Sequence, residues 1–290
     1  MSASQAPSRT RVPTEATPLV LGLACVGFAL WGVGWLFVLG SRTSHLGWAL
    51  QVVGPLMVAL AVALYASHLR RRIGYPAVLF GSLGAVIVGL ATLPYGISPS
   101  NLSSASGLRF GYAAYGIGLL LGALSLTCVA VTLGRQLLEG TKLHPAGCSC
   151  SERIHSSMGT TVLGAAGLLV WGLGFLALFA TPEGSRYGWI LAVVGSAAVS
   201  VAIAGHLRHL SGRFGQLAAW LGIISAFAWS IGYLLQAIHP TAGFYSQWYS
   251  ALFGFYGAGH ILSAVSIALV LVYKLRFEPQ PVEEVATATA

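Results

Sequence analysis

Eight stretches of 19 to 25 residues, each apolar and free of Asp, Glu, Lys and Arg, divide this chain. They run over 18–40, 47–67, 76–96, 110–134, 159–180, 187–205, 216–238 and 250–273. Hydrocarbon offers backbone N–H and C=O groups no partner outside the segment, so a run of about 20 such residues crosses a bilayer as a helix. Membrane strands are not expected, because the runs are continuously apolar and do not alternate over ten residues. Composition agrees: 56% of the 290 residues are hydrophobic and only 8% charged, against about 25% charged in soluble domains. The fold class expected is an all-α integral membrane protein. A soluble enzyme, a disulfide-stapled secreted domain and a disordered chain are excluded.

The basic residues set the expected orientation. With the N-terminus inside, twelve of the fifteen lie on the cytoplasmic side, among them Arg70, Arg71, Arg72, Arg135, Lys274 and Arg276. Arg42, Arg109 and Arg186 alone fall outside. Both termini are therefore expected in the cytoplasm, in the plasma (inner) membrane. Residues 1–17 and 277–290 read as disordered tails, and the first span reads as a retained helix, too long for a signal peptide. The net charge of +8 is a topology signal with an attraction to anionic headgroups. The partner it implies is the lipid bilayer, with a membrane-protein partner possible in a complex, and no nucleic acid.

Self-similarity organises the spans. Trp31-Gly32-Val33-Gly34-Trp35-Leu36 matches Trp171-Gly172-Leu173-Gly174-Phe175-Leu176, and Gly47-Trp48 with Gly54 matches Gly188-Trp189 with Gly195. His68-Leu69-Arg70 matches His206-Leu207-Arg208, and Tyr95 matches Tyr233. Tyr115-Gly116-Ile117-Gly118 matches Tyr256-Gly257-Ala258-Gly259. The offset stays between 138 and 141 in chain order, and the polar matches are not what hydrophobicity alone produces. The reading is two four-helix repeats, 18–135 and 159–276, joined by a cytoplasmic linker, 136–158. An even number of spans gives both repeats the same orientation, so they are parallel and related by an axis along the membrane normal. The repeated Gly, Ala and Ser residues suit close helix approach in lipid, where apolar burial gives no drive to associate.

Chemistry is narrowed by what is missing. There is no Asp, and the seven Glu residues (15, 139, 152, 183, 278, 283 and 284) lie in tails and loops. Carboxylate-driven ion coupling, paired-acid glycoside hydrolysis and Asp-dependent metal chemistry have no residues to use. No GxSxG elbow or SxxK pair lies within a span, so no residue pattern names an enzyme activity, and a non-enzymatic role is favoured without excluding an intramembrane enzyme. His260, about ten residues into the last span, is the titratable group expected deepest in the membrane, and its repeat equivalent is Leu119. Candidate ligand-binding residues are His260 with Tyr256, Tyr115, Tyr95 and Tyr233. His68 and His206, at equivalent depths, are candidates for haem b ligation or a quinone site, with macrodipole complementation at a helix end as the simpler role. His144, Cys148, Cys150 and His155 in the linker carry soft-metal ligand types, though Cys-x-Cys is tighter than the usual zinc spacing. Trp48, Trp189, Tyr187, Phe244, Tyr245, Trp248 and Tyr249 are expected as interfacial anchors at outer helix ends.

Three functions are consistent with these residues: a carrier or binding protein for a small neutral or hydrophobic molecule, a non-catalytic assembly subunit, and a haem- or quinone-binding redox subunit using His68, His206 or His260.

Overall fold

The computed structural model describes residues 17–98, 105–143, 149–181, 186–240 and 246–277. The protein is a multi-pass all-α bundle with eight helical segments long and apolar enough to cross a membrane. In chain order these are α1 (Pro18–Gly40), α2 (His45–His68), the short α3 (Arg70–Ile73), α4 (Tyr75–Leu90) with its continuation α5 (Leu93–Ile97), α6 (Ala105–Leu143), α7 (Ser149–Ala180), α8 (Arg186–Phe214), α9 (Gln216–Ile238) and α10 (Gln247–Phe277). The expected spans match these within a few residues. The helices α6 and α7 run beyond the apolar stretches into the segment expected to be a linker.

Helix boundaries follow local chemistry. Thr17 caps α1 with its hydroxyl accepting from the Val20 N–H, and Ser44 caps α2 by accepting from Gly47. Gly74 and Gly215 hold φ of +83° and +90° where the chain turns into α4 and α9. A Cβ disfavours that region, so glycine is required at both turns. The third span breaks after Leu90. Pro94 has no N–H to give to the i−4 carbonyl, and its ring crowds that carbonyl. The break is held by Thr92, whose hydroxyl donates to the Gln51 carbonyl at 2.6 Å.

Each spanning helix packs on its neighbours in the chain, and α10 closes back on α1. The result is a closed ring in the order α1, α2, α4, α6, α7, α8, α9, α10. Its outer face is apolar: Leu60, Leu83, Leu124, Val194 and Trp220 are all exposed, as lipid-facing residues must be. Its inner face holds small, aromatic and polar residues, including buried Gln51, Ser196, Ser200, Ser225, Ser230 and Gln236.

Contacts between helices are made at glycine and serine. A Cβ on Gly27 would meet the Gly54 carbonyl and Val58, and one on Gly167 would meet the Gly195 carbonyl and Val199. The seam between α1 and α10 brings Gly32 against Gly257 and Ile261, and that between α6 and α7 brings Gly172 against Gly116 and Leu120. Ser125 donates to the Ala77 carbonyl and Ser266 to the Ala218 carbonyl, each at 2.7 Å.

Two expected anchors are corrected. Trp48 and Trp189 are 2% and 8% exposed, packed inside the bundle rather than presented on its outer face. Trp48 donates its indole N–H to the Arg42 carbonyl at 2.9 Å and lies 5.3 Å from Tyr95. Trp189 stacks 6.3 Å from Tyr233. Both rings find aromatic partners on neighbouring helices, a tertiary contact that position at a helix end does not disclose. Tyr187, 81% exposed, stands where an anchor should. Phe244 and Tyr245 lie outside the described residues.

Candidate functional site

Large aromatic residues flank a pair of glycines on α1 (Trp31-Gly32-Val33-Gly34-Trp35) and on α7 (Trp171-Gly172-Leu173-Gly174-Phe175), so each aromatic pair falls one helical turn apart on one face while the glycines allow α2, α8 and α10 close. This geometry turns large rings inward. They gather in two aromatic clusters, one around Trp171, Phe175, Trp189 and Tyr233 and the other around Trp35, Trp48, Tyr95 and Phe253. Tyr256 touches both, 5.2 Å from Tyr233 and 5.4 Å from Trp35.

Between the clusters the ring encloses a cavity of about 260 Å³. From α1, α4 and α6 come Trp31, Trp35, Val88, Tyr115 and Leu119. Facing them are Leu168 and Trp171 of α7, Val199 of α8, Trp229 and Tyr233 of α9, and Tyr256 and His260 of α10. No charged side chain is among them. The volume falls just below the roughly 300–1,000 Å³ usual for small-molecule sites, the size for a single-ring molecule.

His260 is the most distinctive wall residue. It is 5% exposed, with its ring 4.1 Å from Trp31, 5.1 Å from Trp229 and 6.0 Å from Phe28. Its Nδ1 lies within hydrogen-bond distance of the Tyr256 carbonyl. A carbonyl only accepts, so Nδ1 carries the proton and Nε2 keeps its lone pair. Nε2 has no hydrogen-bond partner among the described residues. The indole N–H groups of Trp31, Trp35 and Trp229 are also buried without a partner among the described residues, while Trp171 stands edge-on to Tyr233 at 5.4 Å. The wall is thus apolar in bulk, with several unused polar atoms in its rings.

The structure brings together four of the five candidate ligand residues, since His260, Tyr256, Tyr115 and Tyr233 all line the cavity. Tyr95 lies outside it. The break after Leu90 displaces it toward the Trp48 cluster, and its hydroxyl donates to the Gly107 carbonyl at 3.0 Å. His68 and His206 are exposed near the ends of α2 and within α8, helices on opposite sides of the ring that do not pack together, so they are not brought to one site. His68 borders a surface groove with Leu19, Val20 and Tyr65. Of the linker set, His144 and Cys148 lie outside the described residues, and the side chains of Cys150 and His155 do too. No cluster of three or more His, Cys, Asp or Glu exists among the described residues.

Sequence reasoning treated the tryptophans as marks of a repeat and missed them as a lining. The signal was available: Trp31 and Trp35 at i and i+4 share a face, and that face carries the flanking glycines' partner helices. Compared with known proteins, the chain matches no family model, no curated sequence and no solved structure.

Proposed function

We propose that this protein is a membrane-embedded binding protein for a small, uncharged, largely apolar molecule, held in the central cavity between two parallel four-helix repeats. The observation that carries the reading is the cavity itself, walled by four tryptophans, three tyrosines and one histidine, with no charged group among them. A charged ligand would be stripped of water there with nothing to pair it. No Asp or Glu falls within any of the eight apolar stretches, which argues against ion-coupled pumping. A neutral apolar molecule crosses lipid unaided, so retention or presentation of the ligand fits better than pumping.

The repeat reading is supported by contacts that recur at the same offset. Helices opposite in the ring are the expected equivalents: α1 and α7, α2 and α8, α4 and α9, α6 and α10. Trp35 meets Trp48 edge-on at 6.1 Å and 72°, and Phe175 meets Trp189 at 6.4 Å and 73°. The paired serine bonds, the two seams and the two positive-φ glycines recur as well. The offset falls from 141 at Val88 and Trp229 to 138 at Tyr95 and Tyr233, which places three extra residues of the first repeat where α4 breaks. The sorting of basic residues supports cytoplasmic termini and a plasma-membrane location.

The test is equilibrium dialysis of 4-methylanisole against the full chain in lipid nanodiscs, with empty nanodiscs subtracted. Saturable binding is expected, and Leu119→Phe, which fills the cavity, should abolish it while leaving the thermal unfolding midpoint within a few degrees. Binding indifferent to Leu119→Phe would place the ligand elsewhere and refute the reading.

A further inference from the structure

The cavity is not symmetric, and its asymmetry is chemical. Trp229 of α9 and His260 of α10 line the cavity and contact each other, and Phe28 of α1, itself outside the lining, packs against both. The residues at the repeat-equivalent positions are Leu168, Val88 and Leu119, from α7, α4 and α6, and all three line the cavity. One repeat therefore gives it Trp229 and His260 where the other gives Val88 and Leu119, aliphatic positions that stand beside Tyr115 and Trp171 in the lining. All three positions differ together. A packing change at one position would need no matching change at the other two.

The imidazole offers one chemical function. With Nδ1–H given to the Tyr256 carbonyl, Nε2 is an acceptor with no partner among the described residues, on a residue only 5% exposed. A site built around such an acceptor rejects an analogue that lacks the donor. A carboxylic acid or an ammonium ion would find no counter-charge on either wall. A quaternary ammonium would use ring faces and leave Nε2 unmet.

Resting on the binding reading above, the geometry points to a phenol-class ligand: an uncharged aromatic ring whose O–H donates to His260 Nε2 and whose apolar end lies against Val88, Leu119 and Leu168. The tautomer is fixed by the Tyr256 backbone carbonyl and not by the ligand, so the acceptor is in place before the ligand arrives. No covalent or redox step is involved.

The probes are p-cresol and 4-methylanisole, which share the ring and methyl group and differ in the O–H donor, with phenyltrimethylammonium as a third. Equilibrium dialysis uses the full chain in nanodiscs, as wild type, His260→Leu and His260→Gln. In wild type p-cresol should bind at least about tenfold tighter than 4-methylanisole. In His260→Leu the ratio should fall to about one, with an unchanged helical circular dichroism spectrum and a cooperative thermal transition showing that the variant is folded. His260→Gln, which keeps an acceptor oxygen, should restore part of the ratio. Equal binding of the two neutral probes to wild type would overturn the inference and leave the binding reading standing, as would a ratio that survives in His260→Leu. Preference for phenyltrimethylammonium would overturn it in favour of a cation cage. Saturable binding of none of the three would overturn both.

Discussion

The closest approach of α1 to α2 is a point where one added methyl group should be felt by the whole bundle. A Cβ on Gly54 would lie 2.6 Å from the Trp31 nitrogen, 2.8 Å from the Gly27 carbonyl oxygen and 2.9 Å from the Trp31 Cα. All three are backbone atoms, so no side chain can swing away. Carbon contacts are best at about 3.5–4.0 Å, so Gly54→Ala requires α1 and α2 to part by roughly 0.6–1 Å. Overpacking of this kind costs about 1–3 kcal/mol, and a gap of that width forfeits a quarter to a half of each neighbouring contact. Gly195→Ala meets Trp171 backbone atoms in the same way and should cost a similar amount. Gly22→Ala is the control, since nothing lies within 4 Å of its Cβ position. Its effect should stay within about 0.5 kcal/mol. Unfolding in mixed lipid–SDS micelles, followed by circular dichroism, measures all three. If Gly54→Ala and Gly195→Ala are as stable as Gly22→Ala, the helices do not cross where described and the account of the ring fails.

Three further perturbations have defined outcomes. Ser125→Ala and Ser266→Ala each remove one interhelical bond to a carbonyl and should each cost about 0.6 kcal/mol in the same unfolding assay, with about 1.7 kcal/mol as an upper bound. Arg42, one of the three basic residues counted as outside, is 9% exposed, donating to the Val38 carbonyl and the Ser250 hydroxyl with its guanidinium 4.6 Å from the Phe253 ring centre. Arg42→Met should cost about 1–3 kcal/mol, and Arg42→Lys should recover little of it, because an ammonium lacks the planar fork that reaches both acceptors; thermal unfolding in detergent measures both. In a background with the four native cysteines replaced, a cysteine at Arg72 or Lys274 should react with an impermeant maleimide only from the cytoplasmic side, and one at Thr43 only from outside.

Much of the fold was legible because lipid imposes simple rules. The eight spans are written in uninterrupted apolar runs, and the glycines of Trp31-Gly-Val-Gly-Trp35 and its counterpart announce close helix contacts. Closure of the ring was not legible, since it depends on Gly32 meeting Gly257 and Ile261, residues more than two hundred positions away with no local signature. The break after Leu90 was hidden for a related reason: the run 76–96 stays apolar throughout, and only Pro94 hints that it is not one helix. In the site, the polar group His260 stood out against an apolar background, and it is buried inside the bundle. Tyr95 was grouped with Tyr233 by sequence equivalence, yet the local break carries it to another cluster. The tryptophan walls were missed because an aromatic residue looks alike whether it faces lipid, a neighbouring helix or a cavity. Only the helix partners decide which.

The most direct test of the central claim is to see where a small apolar molecule resides. Crystals grown in a lipidic mesophase and soaked in bromobenzene would give the bromine position by anomalous scattering. A bromine peak inside the ring, enclosed by Trp31, Trp171, Trp229 and Tyr233, is the predicted result. Bromine confined to the lipid-facing surface, beside residues such as Trp220 or Leu60, with none in the cavity, would contradict it.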